Sequence, residues 1–116
     1  MTRIFIETPL FQSQWSKLGL GEKELENLQD SLLIEPEIGA MVQGTGGLRK
    51  VRVRFPGRGK SGSCRVCYVD FEEYAKTYFL TVYSKKERDN FDEREKQLLK
   101  ILVKTLREEV RRNHHA

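Results

Sequence analysis

The eight residues from Leu48 to Phe55 read Leu-Arg-Lys-Val-Arg-Val-Arg-Phe, and this alternation constrains the fold more than any other feature of the chain. In a strand, successive side chains point to opposite faces, so Arg49, Val51 and Val53 share one side and Lys50, Arg52 and Arg54 the other. One face of the strand is therefore a ladder of cations.

The ladder sits inside a wider charge block. Residues 41–69 hold seven Lys or Arg and no Asp or Glu, whereas residues 1–40 carry a net charge of −4 and residues 70–116 only +1. Clustered like charges repel one another, a cost that a mixed surface avoids, so the block marks a surface for a polyanion or an acidic protein partner. A solvated face with no partner is the alternative reading. With 116 residues, 38% of them hydrophobic, the chain has room for one globular domain, residues 1–116. No apolar run approaches the roughly 18 residues that a bilayer crossing needs, and the N-terminal apolar stretch is broken by Glu7 and Pro9. A soluble, cytoplasmic protein with no membrane partner is expected.

Around the ladder, periodicity predicts the remaining elements. A short strand over 3–7 precedes Thr8-Pro9, a good helix start, after which Phe11, Trp15 and Leu18 share a helical face. Gly19 and Gly21 punctuate, and Leu25, Leu28 and Leu32 repeat through a second helix ending near Glu35-Pro36. Beyond the ladder, the basic turn-rich loop from Pro56 to Ser63 leads to strands over 64–71 and 77–83, an antiparallel meander. Leu98, Leu102 and Leu106, flanked by Leu99, Ile101, Val103 and Val110, define a long C-terminal amphipathic helix. Asp89 or Asn90 is its expected cap, with Asp92 and Glu93 in the first turn and Arg107, Arg111 and Arg112 near the end. The order β-α-α-β-β-β-α gives an α+β domain, helices packed on a small, mainly antiparallel sheet whose cationic face is left open.

Several motifs carry less than they suggest. Gly59-Lys60-Ser61 ends like a phosphate-binding P-loop, but Arg54 stands where that pattern needs glycine, and the loop joins two strands. Cys64 and Cys67 are three apart in a strand and so point to opposite faces, which fits ordinary buried cysteines rather than a metal or redox pair. The two histidines, His114 and His115, lie at the extreme C-terminus, where fraying or a tail is the plain explanation. Chemistry in this chain thus falls to Arg, Lys, Tyr and carboxylates, and no metal or cofactor is expected.

What remains is one constellation: Lys50, Arg52 and Arg54 on one strand face, Arg65 on the next strand, and Tyr83, Lys85 and Lys86 where the third strand ends. Cross-strand neighbours lie within about 5 Å, so these groups can converge on one groove. Such cations bind phosphates and stabilise the charge of a phosphorane-like transition state. RNA brings its own nucleophile, the 2′-hydroxyl, leaving a protein to orient it, shield charge and manage protons. A basic face that only binds is the alternative.

Two local motifs, GTGGLRKVRV (44–53) followed after the basic loop by SCRVCY (63–68), and LTVYSKKE (80–87), together with the element order, resemble the RelE/ParE superfamily of type II toxins, and more closely its HigB-type ribonuclease branch. The resemblance runs from Ile4 to about Leu106. It implies a small sheet with helices on one side and a basic face that enters the ribosomal A site and cuts mRNA. By this likeness Arg65 and Lys86 stabilise the transition state and Lys50 or Arg52 helps activate the 2′-hydroxyl, while Arg49, Arg54, Arg58, Lys60 and Lys85, as neighbouring cations, are the expected RNA contacts. Where RelE-like enzymes offer a tyrosine after the basic pair, this chain has Phe91 and Asp92, and Tyr83 is the candidate to stand in as general acid. The resemblance also implies a cognate antitoxin, a HigA-like helix-turn-helix protein, through which alone operator DNA is bound. Acidic antitoxin segments would fit the charge map. Two rivals share the fold: a ParE-like inhibitor of DNA gyrase, which needs no clustered Arg65 and Lys85-Lys86, and a non-catalytic RNA-binding regulatory module, which has no cleavage to lose.

Overall fold

The computed structural model describes residues 2–55, 62–85 and 90–114. Strand β1 (Ile4–Glu7) leads into helices α1 (Pro9–Lys17) and α2 (Glu22–Ile34), then come strands β2 (Ala40–Met41), β3 (Arg49–Arg54), β4 (Ser63–Phe71) and β5 (Lys76–Ser84), and finally helix α3 (Glu93–His114). Thr8 caps α1 as expected, its Oγ1 accepting from the Phe11 N–H at 3.1 Å while donating to the Leu80 carbonyl at 2.9 Å. The cap therefore also ties the helix start to the centre of the sheet.

The sheet is five-stranded in the order β1-β5-β4-β3-β2. The meander β3-β4-β5 is antiparallel, but β1 pairs with β5 in parallel, Phe5 opposite Thr77. One strand is additional to the sequence reading. Strand β2 is only two residues long, too short to produce a periodic signal, and it pairs with Lys50 and Arg49 alone. The sheet is mainly antiparallel, as expected, and its one parallel pair arises because the α1-α2 hairpin carries the chain back so that β1 lies beside β5, the last strand.

Helices cover both faces, whereas the resemblance implied one. On the first face Phe11, Trp15, Leu28 and Leu32 from α1 and α2 pack on Val66, Tyr68, Phe79 and Val82, with Val51 and Val53 at the margin. On the second, Val103 and Val110 of α3 pack with Leu48, Cys67, Val69, Phe71 and Tyr78. An irregularity in register makes this two-sided core possible: Cys67 pairs with Thr81 but Tyr68 with Phe79, so Leu80 is an extra residue on β5. The bulge reverses the alternation, placing Phe79 and Val82 on one face and Tyr78, Leu80 and Tyr83 on the other. Cys64 and Cys67 fall in opposite cores, as their spacing predicts.

The buried stripe of α3 runs through Leu99, Val103, Leu106 and Val110, not Leu98, Leu102 and Leu106. Spacings of four, three and four track the 3.6-residue turn better than repeated fours, which drift around the helix. Leu98 and Ile101 are accordingly about three-fifths exposed, at 60% and 62%. The cap is Asp92, whose Oδ1 accepts from the Glu95 N–H while Glu95 Oε1 accepts from the Asp92 N–H, at 2.8 and 3.0 Å. The expected alternative Asn90 lies before this box, and Asp89 lies outside the described residues. At the other end α3 continues through His114, whose ring meets Tyr74 edge-on at 5.0 Å. No helix of the described residues is long and apolar enough to cross a membrane.

Buried polar groups fix the frame. Arg3 and Asp70, with side chains 4% and 8% exposed, form a bidentate pair at 2.8 and 3.0 Å, and Thr77 Oγ1 donates to the same carboxylate at 2.7 Å. The Asp70 carboxylate, mainly through this hydrogen bonding, holds the Arg3 guanidinium pKa above its usual value. Tyr68, whose side chain lies in the core, donates its hydroxyl to the Pro36 carbonyl at 2.8 Å and accepts from the Gly39 N–H at 2.9 Å. These bonds pin the segment that delivers β2.

Candidate nucleic-acid interface

The ladder is held in place by the turn that precedes it and by the packing of the opposite face of its strand. At the β2-β3 turn, Gly44, Gly46 and Gly47 adopt φ of 82°, 77° and 132°, left-handed conformations that a β-carbon would strain. The fully buried Thr45 bridges the turn, its Oγ1 donating to the Val42 carbonyl at 2.6 Å and accepting from the Leu48 N–H at 3.2 Å. The GTGG sequence is thus the device that starts β3 in register. Along β3 the partly buried Val51 and Val53 pack toward α1 and α2, which turns Lys50, Arg52 and Arg54 to the face that carries α3.

Register then builds a row across three strands. Arg52 pairs with Arg65, and Arg65 pairs with Tyr83, so the three side chains emerge side by side on one face. Arg52 is exposed, Arg65 half-buried and Tyr83 buried, at 6% exposure. Arg65 is oriented by its own strand, donating from Nη1 to Ser63 Oγ at 3.1 Å and to the Cys64 carbonyl at 3.4 Å. The Tyr83 ring meets Phe91 edge-on at 5.9 Å. Lys50 and Arg54 flank the row on β3, opposite Cys67 and Ser63. Lys85 follows β5 at the same end and is exposed, its backbone N–H donating to the Ser63 carbonyl at 3.4 Å.

Of the residues expected from sequence, the structure therefore brings together Lys50, Arg52, Arg54, Arg65, Tyr83 and Lys85. Arg49 is directed elsewhere: it donates to the Gly39 carbonyl at 2.8 Å and the Glu37 carbonyl at 3.3 Å, bracing the segment before β2. Arg58, Lys60 and Lys86 lie outside the described residues. Beneath the row, the buried Cys64 thiol donates to the Val53 carbonyl at 3.5 Å. Burial pushes its pKa up to about 11, against a smaller downward pull from the Arg65 charge, so this thiol is protonated and unreactive at neutral pH. Among the described residues no group of His, Cys, Asp and Glu has an arrangement that could hold a metal ion.

Sequence reasoning missed the far end of the ladder. A cavity of about 270 Å³ opens there between β2 and the start of α3, with Lys50 of β3 and Lys96 of α3 in its lining. Gln43 and Asn90 supply amides, while Met41, Val42 and Phe91 make an apolar wall. Lys50 Nζ donates to Asn90 Oδ1 at 3.4 Å, a contact between residues 40 apart in sequence for which no local pattern gives a signal.

Comparison with known proteins agrees with this architecture. A family model described as the RelE toxin of the RelE/RelB toxin–antitoxin system matches residues 20–113. Among solved structures, a double-arginine variant of the E. coli toxin RelE in the free state is similar at 19% identity and a TM-score of 0.55, covering 77% of this chain and 90% of that one. The isolated E. coli RelE toxin aligns at 17% identity and TM-score 0.52 over 87% of this chain and 99% of that chain. The intact E. coli RelBE toxin–antitoxin complex contains a chain similar at 19% identity and TM-score 0.51, covering 70% of this chain and 94% of its own. At these identities the likeness concerns the fold.

Proposed function

The chain belongs to the RelE family of toxins from toxin–antitoxin systems, and from that premise we propose that it is a ribosome-dependent mRNA endonuclease of the HigB-type branch. The observation that carries this reading is the row Arg52–Arg65–Tyr83, with Lys50 and Lys85 beside it. A phosphodiester laid across the row is gripped by two guanidiniums, which donate in a fixed planar geometry suited to phosphate oxygens. Attack by the neighbouring 2′-hydroxyl forms a 2′-O–P bond and breaks the bond to the 5′-oxygen. The hydroxyl proton leaves the attacking oxygen, the departing oxygen takes one up, and the product ends in a 2′,3′-cyclic phosphate. Arg65, with Lys86 by family likeness, offsets the charge that grows on the phosphorus oxygens. Lys50 or Arg52 favours the developing alkoxide, and Tyr83 is the candidate acid for the leaving oxygen.

A specific observation keeps a second reading in play. Tyr83 is buried and packed on Phe91, and Phe91 stands near where relatives offer a tyrosine, so a module that binds RNA without cutting it would use the same cations. In either case the expected partner is a cognate antitoxin with acidic segments, HigA-like by the resemblance, and E. coli RelE is itself known in complex with RelB. The deciding experiment maps 5′ ends of cellular mRNA within minutes of inducing the protein without an antitoxin, alongside an assay of gyrase-linked DNA breaks. Codon-phased cuts confined to translated frames support the nuclease. Intact mRNA with DNA breaks would move the assignment to a gyrase inhibitor, and neither effect would leave the binding module.

A further inference from the structure

We infer that the cavity between β2 and the start of α3 is a nucleobase pocket, which seats one base of the bound RNA beside the cationic row. This rests on the RNA-directed reading of the row and extends it to a residue-level site. The volume, about 270 Å³, is just below the 300–1,000 Å³ typical of small-molecule sites, which suits a single base rather than a larger ligand.

The chemistry of the lining separates a base from a bare anion. An anion needs only the two lysines. The pocket also offers an apolar wall from Met41, Val42 and Phe91, against which a flat heterocycle loses water on one side. Gln43 presents a carbonyl acceptor and an amide donor, and Asn90, whose Oδ1 accepts from Lys50, adds an amide donor, the functions that base edges require. Gln43 and Asn90 are exposed and so are reachable by a ligand. Lys50 connects the two sites: it lines the pocket and stands on the same strand face as Arg52, two residues and thus about 7 Å further along. A nucleotide whose base enters the pocket would hold its phosphate near Lys50, with the chain running on to Arg52 and Arg65. Single-stranded RNA is read in this manner, through unstacked bases held on apolar surface and hydrogen-bonded at their edges.

The test is a titration of the isotope-labelled full chain with the four nucleoside 3′-monophosphates and, separately, inorganic phosphate, followed by nuclear magnetic resonance. The expected result is that at least one nucleotide binds tenfold or more tightly than phosphate and shifts the side-chain amide signals of Gln43 and Asn90. Gln43→Ala should weaken that nucleotide fivefold or more while leaving phosphate binding within twofold. Phosphate binding as tightly as every nucleotide would overturn the pocket, as would nucleotide binding that leaves the two amides unmoved. Cleavage of mRNA, measured in parallel, keeps the two ideas apart. Cutting by a chain whose pocket binds no base refutes the pocket alone, whereas base binding by a chain that cuts nothing supports the pocket and refutes the nuclease.

Discussion

Replacing Arg65 by alanine should separate chemistry from folding, and the structure sets both magnitudes. The side chain makes two hydrogen bonds, to Ser63 Oγ at 3.1 Å and to the Cys64 carbonyl at 3.4 Å. At about 0.5–1.5 kcal/mol net for a good bond, and less for the longer one, their loss costs about 1 kcal/mol. Against that, Arg65 lies directly opposite Arg52, and like charges facing across a ladder destabilise by a few tenths of a kcal/mol, about 0.2–1. The net change is therefore about 0–1 kcal/mol. For a chain of 116 residues each kcal/mol moves Tm by about 4 °C, so Tm should fall by less than about 5 °C. If Arg65 stabilises the transition state, single-turnover cleavage of ribosome-bound mRNA should drop by about 100- to 1,000-fold, as for loss of one oxyanion donor. Inorganic phosphate at constant ionic strength should also raise the Tm of the wild type more than that of the variant, because it binds the folded state through this row. Cleavage within twofold of wild type would refute the role assigned to Arg65. A stability loss above about 3 kcal/mol would refute the claim that its contacts are dispensable to the fold.

Three further outcomes follow from the frame. Tyr68→Phe removes the acceptor of the Gly39 N–H and the donor to Pro36, and urea unfolding should register a loss of about 1–3 kcal/mol; a change below 0.5 kcal/mol, on the order of ordinary surface substitutions, would contradict the hydrogen-bonding assigned to this tyrosine. Asp70→Asn leaves the Arg3 guanidinium, 4% exposed, without its countercharge, and equilibrium denaturation should show about 3–5 kcal/mol of destabilisation. Alkaline pH should weaken the fold through Cys64. With its pKa raised from 9.0 to about 11, the thiol is protonated in both states below pH 9, and between pH 9 and 11 only the unfolded chain ionises. Stability then falls by about 1.4 kcal/mol per pH unit, the raised pKa values of Tyr68 and Tyr78 extend the decline, and Cys64→Ala should flatten its first part in pH-dependent urea titrations.

The strands and helices were legible in the sequence because each is a local pattern. Alternation over residues 48–55 placed Lys50, Arg52 and Arg54 on one side of β3, and the spacing of Cys64 and Cys67 placed the thiols in opposite cores. The same local logic erred on α3, where a surplus of leucines offers two overlapping stripes. The stripe through Leu99, Val103, Leu106 and Val110, whose spacing follows the helical turn more closely, is the one that packs with Val69, Phe71 and Tyr78.

What tertiary structure alone decided is which residues stand side by side. Pairing of Arg52 with Arg65 and of Arg65 with Tyr83 is a matter of register, fixed by the GTGG turn with its buried Thr45 and by the extra residue Leu80 on β5. Neither leaves a periodic trace in the chain. The parallel placement of β1, the two-residue β2 and the contact of Lys50 with Asn90 likewise join segments distant in sequence, where the energy lies in contacts between elements. The sequence thus determined the cationic face and its chemical kind. The row that orders it and the pocket at its end were decided by the sheet, because a strand specifies its faces locally and its neighbours only through the whole core.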